Sequence, residues 1–484
     1  MASIKNSQTE FSLAGMVYLL FFAGLAAITY ALVNQNYIIF AGVVLCPIAV
    51  MILLYAVEKP MLSYLLFAIV TCYFSAIYRY SRTEGLSIIM DICLAFSMFS
   101  IFINVISNRV SYPWTRGFNI LTIGHLIWLS YCLLILMNPE ISVHNFAGNR
   151  AIFLTLPLTY FISGVLMCNN KRLRMTLILL GIFVITAALK VYWQKARGFD
   201  SAETEWLMGG SWRTHLLRTG TRYFSFYSDA GNFGSSMGMF TFIFGAIASV
   251  AKKKIIRFSC IGIAILAAIG MIMSGTRGAI IVPFGGILLY ILISKKLKMV
   301  ISGILIGCLT FCFFYFTDIG NGNTFIRRMR TAFRPTEDAS YNVRVENRKR
   351  FAYYLKDRPF GVGVGGSVVD KEELMKLDEP YIPTDSFYVG IWVQGGIVGL
   401  CLYLTIQVLV LLRCCYLLMF RIKNEQLARI LAALLCGVFG LWLNGYVGDG
   451  MGFLPGSFLI ALFLSFVLNG TYLDKQLNKN EIIA

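Results

Sequence analysis

The residues best equipped for chemistry in this chain are arginines, and they stand in three places. In Arg218-Thr-Gly-Thr-Arg222-Tyr-Phe-Ser-Phe-Tyr-Ser-Asp229-Ala-Gly-Asn232, two arginines are four apart just before an apolar run; on a helix they would share a face. Arg277 lies in the very short turn Met273-Ser274-Gly275-Thr276-Arg277-Gly278, between two apolar runs. Arg344 and Arg348 recur at helical spacing with Phe351 and Leu355, so 341–358 reads as an amphipathic helix. A planar guanidinium offers a fork of N–H donors that grips phosphate oxygens two at a time. The opposing reading is a basic, headgroup-facing surface in which Arg277 snorkels to the interface. One carboxylate, Asp385 in Pro383-Thr384-Asp385-Ser386-Phe387-Tyr388, sits at the mouth of another apolar run. It is either an ion-pair partner for this much arginine or a general base for a hydroxyl.

Other motifs carry less. Gly361-Val-Gly363-Val-Gly365-Gly366 satisfies GxGxxG literally, but a dinucleotide site needs a strand before it and a helix after it in a soluble βαβ unit. Here the glycines read as a tight turn or a backbone nest for an anion. His125, His144 and His215 are scattered, and the cysteines lie within or at the edges of apolar runs with no CxxC pair. No metal, cofactor or nucleic-acid partner is expected.

The elements that must position these groups are membrane spans. AVILMFWYC residues make up 58% of the 484 positions and charged residues only 14%, roughly half the charged share of an ordinary soluble domain. The apolar residues come in runs of about 20, enough to cross a hydrocarbon layer about 30 Å thick. The runs are 12–33, 37–57, 61–78, 86–106, 118–137, 151–169, 174–192, 232–250, 255–273, 279–294, 298–316, 386–412, 427–444 and 453–468. The expected fold is all-α and polytopic, with about 12–14 transmembrane helices. The first run lacks a cleavage site and is expected to be a retained span.

Short basic loops set the orientation, because cytoplasmic loops collect Lys and Arg. Lys171, Arg172 and Arg174; Lys252, Lys253, Lys254 and Arg257; Lys295, Lys296 and Lys298; and Arg413, Arg421, Lys423 and Arg429 alternate consistently. They place both termini in the cytoplasm and the loops 193–231 and 317–385 outside. The expected organisation is an N-terminal transmembrane bundle (1–192), a first external loop (193–231), central helices (232–316), a large external loop (317–385), C-terminal helices (386–470) and a cytoplasmic tail (471–484). Both external loops are nevertheless basic, and they favour Arg where the cytoplasmic loops favour Lys.

In order and spacing, these pieces resemble the O-antigen ligase and polymerase superfamily of bacterial surface-polysaccharide assembly. The resemblance runs from about 213 to 412. It comprises the Arg222 segment to Asn232, the Ser274–Gly278 turn, Arg344 to Arg348, Arg358-Pro359-Phe360-Gly361-Val362-Gly363, and Asp385-Ser386-Phe387-Tyr388 ahead of Gly395-Gly396-Ile397-Val398-Gly399. It implies a glycosyltransferase of the bacterial inner membrane that takes a polyprenyl-pyrophosphate-linked glycan as donor on the outer face, without a nucleotide sugar. Arg222 and Arg277 would then neutralise the departing pyrophosphate, with Arg218, Arg344 and Arg348 binding pyrophosphate or glycan. Lipid-linked glycans and membrane lipid are the implied partners, with room for a chain-length regulator. Ligases of this superfamily usually have a histidine where this chain has Asp385, which tilts the expectation towards a polymerase of O-antigen, capsule or exopolysaccharide repeat units. A ligase moving polymer to lipid A core or to protein is the alternative, and a flippase of lipid-linked glycan is the alternative of another class. The middle of most runs is free of charge, with Asp91 the clearest exception, which favours surface chemistry over passage.

Overall fold

A computed structural model describes residues 54–82, 85–107, 112–137, 151–217, 220–294, 297–323, 339–365 and 386–477, with positions 26, 29, 51, 326–327, 330, 333 and 384. Arg218 and Asp385 lie outside the described residues, as do most of the first two apolar runs. Each apolar run from 61–78 onward coincides with a helix. The longer helices are α1 (Pro60–Ser81), α2 (Leu86–Ile106), α3 (Ile120–Leu136), α4 (Leu156–Leu166) and α5 (Asn170–Arg197). After the short helices α6 (Ser201–Trp206) and α7 (Trp212–His215) and a two-stranded hairpin, β1 (Leu216–Leu217) with β2 (Gly220–Thr221), come α8 (Ala230–Val250), α9 (Lys254–Met273), α10 (Ile281–Ser294) and α11 (Leu297–Phe316). The chain continues with α12 (Ala339–Tyr354), α13 (Phe387–Tyr416), α14 (Glu425–Asn444), α15 (Gly456–Leu468) and α16 (Gly470–Gln476).

Among the described residues, 8 helices are long and apolar enough to cross a membrane, or up to 9 if the bent pair α15 and α16 is one span. Ile120–Leu136 and Ala151–Leu166 are shorter apolar helices. The protein is an all-α, multi-pass membrane protein.

The chain divides into two compact units, 1–64 with 96–111, and 65–95 with 112–484. In the first, Ser100 Oγ donates to Ala56 O at 3.0 Å and Asn104 Nδ2 to Val57 O at 2.6 Å, satisfying carbonyls freed just before Pro60. The second unit contains everything that follows. Its centre is α8 and α14, whose apolar windows are 72% buried, against 22–39% for the other candidate spans. Burial of that degree in an apolar solvent comes from close approach, not from hydrophobicity, and it selects small residues. Accordingly α8 opens Ala230-Gly-Asn-Phe-Gly234-Ser-Ser-Met-Gly238. A Cβ at Gly234 would lie 2.3 Å from Ser274 Oγ, and one at Gly238 2.9 Å from Ala279 O. The Ser274–Ala279 turn can therefore sit directly on the helix.

Two expectations change. The arginine-bearing segment after His215 is a hairpin, not a helix: Leu216 pairs with Thr221 and Leu217 with Gly220, whose φ of 130° suits glycine alone. The basic helix of the second loop, α12, is not a lipid-surface helix along its apolar side either. Phe351 and Leu355 are buried against Val389 and Val393 of α13, so its apolar face meets protein.

The glycine run 361–365 is a turn that docks on a break in α13. Val362 and Gly363 donate their N–H groups to Val393 O and Gln394 O, both at 2.9 Å, and Gly365 N–H reaches Gln394 Oε1 at 3.4 Å. Donors so engaged form no nest for an anion. The break is at Gly396, where φ is 64° and a Cβ would stand 2.0 Å from Pro359 O. Gly396→Ala is therefore expected to destabilise the protein by about 1–3 kcal/mol, whereas Gly390→Ala, with open space around it, should be tolerated. Thermal transitions of the two purified variants in detergent check this, and equal transition temperatures would refute the docked turn.

Candidate functional site

At one end of the second unit, four helix ends converge: the N-termini of α8 and α10 and the C-termini of α9 and α14. They enclose a cavity of about 840 Å³ lined by Arg222, Arg277, Arg344, Asp229, Asn232 and Asp449, among others. The potentials of two N-termini and two C-termini oppose one another, so it is the guanidinium groups that give the cavity its cationic character.

Arg222 is the most constrained of these groups. Its backbone N–H extends the hairpin by donating to His215 O at 2.8 Å, and its guanidinium donates to Thr214 O at 3.0 Å and Thr276 Oγ1 at 2.9 Å. Thr276 in turn donates to Ala230 O at 2.8 Å, so the first turn of α8, the 274–278 turn and the hairpin share one network. Burial pushes the Arg222 pKa below its ordinary value; Asp229 works against that, while Arg277 and Arg344 add to it. The buried Nε has no partner among the described residues. Clustered positive charge with a spare donor is stabilised by an anion.

Asp229 is the helix cap. Its Oδ1 accepts the N–H groups of Gly231 (2.6 Å) and Asn232 (2.9 Å), and its Oδ2 accepts Ser228 Oγ (2.8 Å). Those bonds occupy the carboxylate and argue against a proton-transfer role. His215 is likewise structural. Its Nε2 accepts the Ala230 N–H at 3.2 Å and its Nδ1 lies 2.9 Å from Ser211 O, which fixes the neutral tautomer with the proton on Nδ1. Burial holds its pKa below the usual range in agreement with that.

The loop carrying Arg222 is clamped from the N-terminal half of the chain. Arg79 of α1 donates to Tyr227 O at 2.8 Å and stands over the touching rings of Trp206 and Phe224, 4.5 Å from each centroid. From α5, Gln194 Nε2 donates to Glu203 Oε1 at 2.9 Å while its Oε1 accepts the Ser225 N–H at 3.1 Å. Lys190 bridges Asp200 (3.0 Å) and Glu203 (2.9 Å), and Asp200 and Glu203 close a capping box on α6. Arg79, Lys190 and Gln194, on helices α1 and α5, anchor these clamps.

Of the sequence candidates, Arg222, Arg277 and Arg344 come together in the cavity. Arg348 does not: its guanidinium stacks on Tyr446 at 4.7 Å and lines a small side pocket that Arg344 also reaches. Glu346 is exposed and lies 3.7 Å from Lys349. Arg218 and Asp385 are outside the described residues, although Thr384 and Ser386, on either side of Asp385, line the side pocket.

Sequence reasoning missed Asp449. It sits in Gly445-Tyr-Val-Gly-Asp449-Gly-Met-Gly452, between α14 and α15. The loop is held by Asn444 Nδ2 on Gly278 O (2.7 Å), Ser386 Oγ on Gly445 O (2.9 Å) and Asn232 Nδ2 on Leu454 O (2.8 Å). Burial pushes the Asp449 carboxyl up to about 7, with the Asp229 carboxylate adding to the shift. The available signal was an acid inside a glycine-rich break between two apolar runs, where an ionisable residue is a functional candidate by default.

No curated protein and no solved structure matches the chain. A family model does, over residues 262–404, and its description is O-Antigen ligase. Arg277, Arg344, Arg348 and Asp385 fall inside the matched segment, Arg222 and Asp229 before it and Asp449 after it. Over residues 262–404, somewhat under a third of its length, this chain is similar to the O-antigen ligase family.

Proposed function

We propose that the protein is a glycosyltransferase that elongates a surface polysaccharide, joining polyprenyl-pyrophosphate-linked repeat units on the outer face of the bacterial inner membrane. The observation that carries the reading is the convergence of Arg222, Arg277 and Arg344 with Asp449 in one cavity at the helix ends. An acceptor hydroxyl attacks the anomeric carbon, the bond from that carbon to the phosphate oxygen breaks, and the electron pair leaves with the pyrophosphate. The acceptor proton passes to a carboxylate. Preorganised cations aimed at the leaving group are worth most where charge develops, and Arg222, fixed by Thr214 and Thr276, needs no reorganisation.

We assign the proton to Asp449, because a base whose pKa lies near ambient pH combines a usable ionised fraction with driving force. Asp385, one residue beyond Thr384 at the cavity side, is the other candidate. Polymerase is preferred to ligase on the aspartate at position 385, where superfamily ligases usually carry histidine. The orientation read from the short basic loops puts this end of the helices outside and both termini in the cytoplasm. Arg218 and Arg348 are assigned to the glycan or to lipid headgroups.

Arg222→Ala and Arg277→Ala are each expected to lower polymer formation by about 100-fold or more while protein remains in the membrane, since each removes about 3 kcal/mol of transition-state stabilisation. Near-normal polymer length from both variants sinks the clamp.

The pH dependence has a definite sign. The Asp449 carboxylate is the reactive form, so turnover by reconstituted protein should fall as pH drops through about 7. Asp449→Asn should abolish that limb with a loss of about 100-fold or more; retained activity, with the loss appearing instead in Asp385→Asn, reassigns the base.

Product analysis of a deletion strain separates the classes. A lost polymerase leaves single repeat units on the acceptor, a lost ligase strands long chains on the lipid carrier, and a lost flippase traps repeat units in the cytoplasmic leaflet.

A further inference from the structure

Behind the arginine-lined cavity lies a second one of about 640 Å³, enclosed by residues from α1 to α4 and α13 to α15. The two share Asp449 and Phe453 as lining residues, so the carboxylate faces both. Their chemistry differs. The described lining of the second cavity contains no lysine or arginine, and its acids are Asp91 and Asp449. A second pyrophosphate would meet only negative charge there, in a low-dielectric site where repulsion is strong.

The walls combine aromatic rings with neutral hydrogen-bonding groups. Trp128 and Phe387 flank Tyr403, with ring centroids 5.1 and 5.5 Å away. Among these rings stand the amides Gln394 and Gln407 and the hydroxyl of Thr155. Thr155 Oγ1 donates to Asp91 Oδ1 at 2.6 Å, which orients that acid in the second turn of α2. Gln407 Oε1 accepts the Tyr388 hydroxyl at 3.0 Å, and its buried Nε2 has only the Tyr403 hydroxyl beside it, which leaves at least one of its two N–H donors unmet among the described residues. A buried amide donor left unmade costs about 1–3 kcal/mol, and a hydrocarbon chain would leave it so. A sugar, with hydroxyls at its edges and C–H groups on its faces, meets both kinds of wall: few placed polar groups within an aromatic lining.

We propose that this second cavity is the acceptor subsite, taking the neutral, hydroxyl-rich terminal sugar of the acceptor glycan and presenting one hydroxyl to Asp449. The inference rests on the transferase reading above and adds to it the side from which the acceptor arrives. Donor pyrophosphate occupies the arginine cavity, the acceptor sugar occupies the aromatic one, and the carboxylate lies at their junction. Gln407 is a positioning and specificity residue for the acceptor hydroxyls.

The test uses the full chain, in cells lacking the native protein for elongation and in nanodiscs for binding, with geranylgeranyl pyrophosphate as the donor-side probe. Gln407→Leu keeps the volume and removes the donor. It should bind the probe within about twofold of wild type while elongation falls about tenfold, the cost of one unmade buried hydrogen bond. Arg277→Ala should lose both. Normal elongation in Gln407→Leu overturns the subsite, and so does a parallel loss of probe binding, because the residue would then not be selective for the acceptor. A photoreactive geranylgeranyl pyrophosphate supplies a second, variant-free measurement. Cross-links at Leu288 beside the arginines support the division, and cross-links at Ile406 or Val410 overturn it by making the second cavity a prenyl channel. If Arg277→Ala retains probe binding and elongation, the transferase reading itself fails, whatever Gln407→Leu does.

Discussion

Keeping like charges together in a poorly solvated place is the constraint around which the functional end of this protein is arranged. Burial, with Arg277 and Arg344 nearby, weakens the hold of Arg222 on its proton, and all three arginines line the same volume. Such a cluster does not assemble by attraction. It is imposed by bonds that lead away from the charges: Arg222 to Thr214 and Thr276, Thr276 to Ala230, His215 to the first turn of α8, and Asn444 to Gly278. The repulsion stored in this way is relieved by an anion, and the fold therefore selects for one.

The same network explains the composition of the surrounding helices. For a turn bearing Arg277 to rest on α8, the helix must present glycine and serine where other spans present leucine, and α8 does so at its cavity end. Hydrocarbon solvent gives no hydrophobic force between helices, so close backbone approach and shared polar bonds hold the centre together. The polar residues at this end are accordingly caps and ties: half-buried Asp229 on α8, and buried Asn232 on Leu454 and Ser386 on Gly445.

Long-range placement also gives the N-terminal half a role. Residues 262–404 carry the family match, yet the loop presenting Arg222 is fastened by Arg79, Lys190, Gln194 and Glu203, which precede that segment. Most of these groups sit near the ends of spans, where a long polar side chain can fold back on a connecting loop and lose its exposure.

By itself the sequence determined the class of the molecule and the identity of its cations. Apolar runs of about 20 residues mark helices long enough to span, and arginine stands out in a chain with 14% charge, so the helices and Arg222, Arg277 and Arg344 were visible as one-dimensional signals. The hairpin after His215 was not, because its strands are two residues each and carry no periodicity. Nor was Asp449, a lone acid in a glycine-rich break whose environment is made by loops and helices more than 150 residues earlier in the chain, Asp229 and Gly278 among them. Which arginines meet, which acid lies beside them, and that a second cavity without described lysine or arginine adjoins theirs were decided by tertiary structure alone, since each depends on distances between segments far apart in sequence.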